Sequence, residues 1–361
     1  MDGTVQASRR CKAACRHLVL FMRGLTRSLW PIHYWPLPDE LTSSWLVRLS
    51  YGMGLKVQTF SNIICGNRRQ VWNRDIDRLA PAWLLDQLAI RTGTRPELAY
   101  ATSLQAFEGA LFPRFSPSGV LPWILNLKLF HRTRQAYGQQ FCPACLESDE
   151  SPYFRKRWRL AFTTFCSIHE CFLHDRCAEC AAPVVHFRMD FGMPQVGDSK
   201  PMTRCHVCGK RFGQSPSIPL KAYTGEGMAW LAERQQRLDQ HEGVGVPDLD
   251  WSELAVLRHL VKLLGSRSAN VQLHEHLLAF LSIKPPMALS NDGPVFEMRE
   301  VAERHHLLQL GAWMMLDVER SLRGAWNARA LRYNHMLKDF DAPPNWFVQV
   351  AEGMRNWRSR T

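Results

Sequence analysis

Apolar residues recur at helical spacing through most of this 361-residue chain. Leu41, Trp45 and Leu49 fall at i, i+4 and i+8, which predicts one buried stripe of a helix after WPLP. Pro36 and Pro38 block an earlier helix start, and Asp39 or Thr42 can cap this one. A second short helix is expected over KVQTFSNIICG. Leu84, Leu85, Leu88 and Ala89 share the face of a helix over 81–92, which Gly93 ends. Residues 94–96 turn the chain, and a further helix from Glu97 buries Leu98, Ala101 and Leu104. Helix, glycine turn and helix make the helix-turn-helix shape. The front of the second helix is poor in arginine and lysine, so contact with a protein is as open as groove reading.

From about Leu220 the pattern is helical to the end, with breaks at GVGVPD and IKPP. The most regular run is 318–340. Leu322, Trp326, Ala330, Tyr333, Leu337 and Phe340 fall on one face of a single continuous helix. Arg320, Arg323, Asn327, Asn334 and Lys338 fall opposite, with Arg329 and Arg332 flanking. The apolar stripe belongs in a core, and the basic face is a candidate surface for DNA or a partner, or simply a solvated face. Residues 341–344 end this helix, and WFVQVAEGMRNW forms the last one.

Between these helical regions the pattern gives way to cysteines. CSIHECFLHDRCAEC, residues 166–180, holds six possible metal ligands: too many for one tetrahedral ion and too few for two. The missing ligands flank it. Cys142 and Cys145 lie upstream in FCPACLES, and Cys205 and Cys208 downstream in RCHVCGKRF. Cys142 and Cys145 pair with Cys166 and His169 across twenty intervening residues, and Cys177 and Cys180 pair with Cys205 and Cys208 across twenty-four. A CxxC pair on a tight turn aims two sulfurs at one point, and two such knuckles complete a tetrahedron around zinc with no open position for catalytic water. Two structural Zn²⁺ ions are expected. Spacing alone leaves His174 as a substitute for His169, and Cys171 for Cys166. Cys11, Cys15 and Cys65 lack partner pairs and read as ordinary thiols.

The balance of charge adds a partner class. A net charge of +12 and a pI near 9.4 favour a polyanion, nucleic acid or anionic lipid. A leader over 1–34 sets Arg9, Arg10, Lys12, Arg16, Arg23 and Arg27 against Asp2 alone. In YFRKRWRLAF, Arg155, Lys156, Arg157 and Arg159 alternate with Tyr153, Phe154 and Trp158, a composition that suits phosphate contact and base stacking. The same alternation describes aromatics in a metal-centred core with charges in water. No apolar run is long enough to span a bilayer, so no membrane is expected, and the cysteines read as ligands or thiols of a reducing, cytoplasmic compartment. There is no phosphate loop, GxSxG or HExxH, so ATPase and hydrolase signatures are missing. HEH at 274–276 matches no closed metal-site spacing.

WPLPDELTSSWLVRLS, FCPACL, WRLAFTTFCSIHECFLHDRCAEC and RCHVCGK, in that order, resemble the TniQ/TnsD family of transposition-targeting proteins. The resemblance covers about 35–212. Cys171 departs from it, because that stretch is usually apolar. The family likeness implies a non-enzymatic adaptor that marks a target and recruits the transposon AAA+ ATPase. It implies target DNA, or an RNA-guided CRISPR effector complex, as a further partner, with a homodimer possible. It gives the same division of the eight ligands between two zincs. The expected architecture is mainly α. It has a basic extension (1–34), a helix-turn-helix domain (35–132), tandem zinc-ribbon or zinc-finger modules (133–218) and a helical domain (219–361). The expected setting is bacterial cytoplasm, in association with the nucleoid. The competing readings are a free-standing zinc-containing DNA-binding regulator and a nuclease with accessory zinc.

Overall fold

The computed structural model describes residues 28–66, 71–127, 137–188, 201–239, 249–266, 268, 270–290 and 295–355. Most of the expected leader, with Cys11 and Cys15, lies outside these residues, as does the GVGVPD break. The architecture is mainly helical, with thirteen α-helices and one two-stranded sheet among the described residues.

Helix α1 (Thr42–Gly52) follows Leu41, and Leu41, Trp45 and Leu49 are all fully buried. Neither expected cap is used. Asp39 turns its carboxylate to the Arg157 backbone N–H at 3.3 Å, and the Thr42 hydroxyl meets that of Thr102 at 2.7 Å. Helix α2 (Val57–Cys65) packs on α1, and the short α3 (Ile76–Leu79) is capped by Asp75, which accepts from the Arg78 N–H. Helix α4 (Ala82–Thr92) buries Leu84, Leu85, Leu88 and Ala89 and ends at Gly93, whose φ of +66° is the left-handed conformation glycine adopts without strain. Helix α5 (Pro96–Tyr100) is only five residues long. The Thr102 and Ser103 hydroxyls bond back to the carbonyls of Ala99 and Tyr100, competing with the helix, and a 3₁₀ turn over Leu104–Phe107 follows. Leu104 is buried as expected, but Leu98 and Ala101 are only half-buried.

The middle of the chain is irregular. It holds α6 (Pro143–Ser148), a 3₁₀ turn over Lys156–Arg159, and strands β1 (Phe165–Cys166) and β2 (Cys171–Phe172), which pair antiparallel. After it come α7 (Gly225–Asp239), α8 (Trp251–Leu264), α9 (Leu273–Phe280) and α10 (Val301–Leu316). Helix α10 packs on both α7 and α8. At Gly311 of α10 an added Cβ would stand 2.9 Å from Leu257 and 3.0 Å from Val261, so glycine sets how closely α8 approaches.

The single helix expected over 318–340 is two helices, α11 (Val318–Asn327) and α12 (Tyr333–Leu337). Arg329 takes a left-handed φ of +61°, and the Ala330 carbonyl accepts from the Gln272 N–H at the start of α9. The chain therefore turns there with Ala330 and Leu331 both buried, and Tyr333, Leu337 and Phe340 are only partly buried. Helix α13 (Asn345–Glu352) closes the described chain.

Polar contacts cross the expected boundaries at 132 and 218. The Glu297 carboxylate accepts from the Trp123 N–H at 3.0 Å and from Arg258 at 2.6 Å. Arg304 of α10 is fully buried and donates to the Ala161 carbonyl and the Gln140 side chain. His305 meets the Thr164 hydroxyl at 2.9 Å. Among the described residues, one hydrophobic core cluster takes in side chains from Trp30 to Met354.

Burial lowers the pKa of His186 and His305 to about 3, and of His259 and His306 to about 4. All four are neutral in the folded chain, whereas unfolded imidazoles titrate near 6.5. The unfolded state therefore binds more protons below that value, so stability is full above it and falls as pH drops toward 4. The expected loss at pH 5 is on the order of 1–2 kcal/mol per histidine. Imidazole titration followed by NMR should find these rings neutral at pH 5.5; ordinary titration near 6.5 would contradict the burial argument.

Candidate metal centres

The first centre is built by a helix start facing a hairpin. Cys142 is the N-cap of α6, with Pro143 at the first helical position, and its sulfur accepts from the Cys145 N–H. One helical turn thus brings both cysteines to one side. Across from them, β1 ends at Cys166, and the hairpin turn carries His169 back over the same point. The two strands pair Phe165 with Phe172 and Cys166 with Cys171. The Cys145 and Cys166 sulfurs lie 3.7 Å apart. His169 Nδ1 lies 3.6 Å from Cys142 Sγ, 3.3 Å from Cys145 Sγ and 3.5 Å from Cys166 Sγ. Zinc–sulfur bonds of about 2.3 Å and zinc–nitrogen bonds near 2.0 Å give tetrahedral edges of about 3.8 Å for S···S and about 3.5 Å for S···N. The four atoms already hold that shape.

The second centre is two matched knuckles. In one, the Cys177 N–H bonds the Ala182 carbonyl and the Ala181 N–H bonds the Cys177 carbonyl. In the other, Cys205 and Lys210, and Gly209 and Cys205, repeat both bonds. The residue four past the first ligand is left-handed in each, Ala181 at φ +57° and Gly209 at φ +73°. Glu170, four past Cys166, is left-handed too. Only Gly209 announces this turn in the sequence. Cys177 and Cys208 are 3.6 Å apart, and Cys180 and Cys205 are 3.7 Å apart. All four sulfurs lie within 4.8 Å of one another.

Each group can hold one metal ion, and each donor set is consistent with zinc. Burial raises the Cys205 thiol to about 12, so bare thiolates are costly there and a divalent cation would stabilise them. The first centre is more enclosed: its three cysteines are buried, whereas Cys180 and Cys208 of the second are exposed.

Geometry separates the two spare residues. His174 stacks on Phe141 and its Nε2 bonds the Pro216 carbonyl at 2.8 Å, away from the sulfurs. Cys171 Sγ lies 3.8 Å from Cys142 Sγ but does not join the converging group. The expected result is that Cys166→Ser costs one of two bound metal ions per chain, while Cys171→Ser keeps both. Metal content of the purified variants by mass spectrometry checks it, and equal loss in the two variants would reverse the assignment.

The basic run beside the first centre is not the exposed face that its alternation allowed. Arg155 is buried, paired with Asp149 at 2.9 Å and stacked on Tyr153 and Trp158. Lys156 is buried above the Phe107 ring, and burial lowers its pKa. Arg157 is half-buried beside Asp39. Arg159 is fully buried between Asp75 at 2.5 Å and Asp77 at 3.3 Å. Such side chains are committed to this chain and are not offered to phosphate. By contrast, Arg323, Arg329 and Arg332 are exposed.

Two features had no local signal. Asp77 also accepts from the Ser43 N–H and hydroxyl, and Ser43 meets His186 Nε2 at 3.0 Å, so Arg159 anchors a buried network joining distant segments. His274 of the HEH triplet meets His306 Nε2 at 2.8 Å, and His306 Nδ1 meets the Tyr223 hydroxyl at 2.6 Å, a hydrogen-bonded chain with no third metal ligand among the described residues. No helix among the described residues is long and apolar enough to cross a membrane.

Residues 31–173 match the family model described as TniQ, less than half of the chain but including the first metal centre. A comparison with curated proteins finds no match.

Proposed function

We propose that this chain, assigned to the TniQ family by the match over residues 31–173, is a non-catalytic target-selection adaptor for transposition. It links a target-recognition element, DNA or an RNA-guided CRISPR effector complex, to the transposon AAA+ ATPase. The family match is the observation that carries this reading. In it, the two centres hold structural zinc and fix the helical regions relative to each other, since a site closed by four protein ligands has no position for a reacting water. Helix α5, under two turns long, suits contact with a protein better than insertion in a DNA groove, so the helix-turn-helix region is assigned to partner binding.

The test is affinity purification of the tagged chain from cells that carry its native neighbouring genes. The expected result is co-purification of an AAA+ ATPase, with or without guide RNA. Recovery of a palindromic DNA site and no ATPase would replace the adaptor with a free-standing regulator. Magnesium-dependent DNA cleavage abolished by a single carboxylate substitution would replace it with a nuclease.

A further inference from the structure

The two metal centres meet solvent differently. Cys142, Cys145 and Cys166 of the first are buried, whereas Cys180 and Cys208 of the second are exposed. The knuckle that carries Cys208 is also basic. Arg204 donates to the Gly209 carbonyl at 3.3 Å, which brings its guanidinium to the residue after Cys208. Lys210 and Arg211 follow in the sequence, and Lys210 reaches Glu179 only at 3.9 Å, across an open surface that screens the pair. Val207, just before Cys208, is 63% exposed, so the tip of this knuckle stands in solvent. Cys180 has the opposite setting, with Glu179 beside it. An exposed sulfur among cations is where a thiolate is most reactive. A second sulfur is in place to meet it: Cys177 Sγ, buried, lies 3.6 Å from Cys208 Sγ. The thiol beside the first centre is placed otherwise. Cys171 lies 3.8 Å from Cys142, and both are buried away from any oxidant in solution.

We propose that the second centre is a reversible oxidation site, at which a hydroperoxide joins Cys208 to Cys177 as a disulfide and the bound metal is given up, while the first centre keeps its own. The Cys208 thiolate attacks the peroxide. An S–O bond forms and the O–O bond breaks, and the leaving oxygen takes a proton from solvent. The Cys177 thiolate then attacks the Cys208 sulfur. An S–S bond forms and the S–O bond breaks, and the departing hydroxide is protonated to water. The two thiolates supply the two electrons that reduce the peroxide. Cys180 and Cys205 remain, two donors where a closed site needs four. Exchange with a small dithiol reduces the bond and restores the four-sulfur set. The second centre lies outside residues 31–173, so this site does not follow from the family match and stands or falls separately from the adaptor reading.

The test treats the reduced, metal-loaded full chain with hydrogen peroxide. A weak coloured chelator that draws no metal without peroxide reads the release, and peptide mass spectrometry maps the crosslinks. The expected result is loss of one of the two metal ions per chain, with a Cys177–Cys208 crosslink. Dithiothreitol and added zinc should reverse both. Cys208→Ser would disturb the centre before any oxidant arrives, so the decisive variant leaves all four sulfurs in place. Lys210→Gln with Arg211→Gln should start with two bound ions and an unchanged melting temperature, and release metal several-fold more slowly. Cys171→Ser should release it at the unaltered rate. Crosslinks that appear first among Cys142, Cys145, Cys166 and Cys171, a Cys180–Cys205 crosslink in place of Cys177–Cys208, sulfinic or sulfonic acid with no crosslink, or an unchanged rate in the Lys210, Arg211 variant would each overturn the proposal.

Discussion

Stripping the metal from this protein is expected to abolish its tertiary structure, beginning in the middle of the chain. Structural zinc sites carry apparent binding free energies of roughly 10–16 kcal/mol, and a folded protein has a net stability of only about 5–15 kcal/mol. Residues 137–188 have little regular structure to hold them, with one six-residue helix, a 3₁₀ turn and two strands of two residues each. The damage should spread into the helices beyond. Arg304 and His305 of α10 and Gln235 of α7 bond Ala161, Gln140, Thr164 and the Phe165 carbonyl, which lie within five residues of the ligands Cys142 and Cys166 along the chain. Loss should come in two steps, because a chelator reaches the exposed Cys180 and Cys208 before the buried Cys142 and Cys145. Near-ultraviolet circular dichroism recorded alongside metal release by a coloured chelator resolves the order. Cys145→Ser should remove the signal of the second, deeper step and Cys180→Ser only that of the first. A metal-free chain that keeps its aromatic dichroism and its melting temperature would remove metal from the account of folding.

The part of the metal centres that was legible in the sequence is the local part. CxxC and CxxH spacing fixes which two ligands share a knuckle, because three residues make one tight turn. Pairing of knuckles followed from the matched intervals. Spacing alone left His174 open beside His169, and the β1–β2 hairpin faces His169 to the sulfurs and turns His174 onto Phe141. Helices were legible where a stop signal accompanied the periodicity, as at Gly93. They were not where the stop was conformational: nothing about Arg329 marks it as left-handed, and the apolar spacing carries on past it. The basic run failed for a different reason. Whether an arginine faces water depends on what waits for it, and the partners of Arg159 lie 84 and 82 residues away. Alternating aromatics and cations look the same on a nucleic-acid surface and in a core whose carboxylates come from elsewhere.

That core network gives the largest effect expected from one substitution away from the metal. Arg159→Met is expected to destabilise the chain by about 3–5 kcal/mol, the usual result of removing one partner from a buried ionic group. The guanidinium stands between Asp75 and Asp77 and also donates to the Leu125 carbonyl at 2.8 Å, so its loss leaves two carboxylates facing each other in a dry site. The pH dependence identifies the cause. Burial already raises the Asp77 carboxyl to about 6 with Arg159 present, and without the arginine it rises further. A carboxyl whose folded pKa exceeds its unfolded value binds more protons when folded, so its penalty is greatest above the folded pKa and is relieved as pH falls through it. The stability difference between variant and unaltered chain should therefore be smaller at pH 5.5 than at pH 7.5. His259, His305 and His306 weaken both proteins alike over that range and cancel in the difference, whereas His186, which Arg159 helps to hold neutral, is penalised less by acid in the variant and shifts the difference the same way. Urea unfolding at the two pH values measures it. Adding Asp75→Asn and Asp77→Asn to Arg159→Met should recover much of the loss, since the unpaired charges are gone while the shape is kept. If the triple variant is no more stable than Arg159→Met alone, or the penalty is independent of pH, the cost lies in lost packing around the arginine and not in its charge.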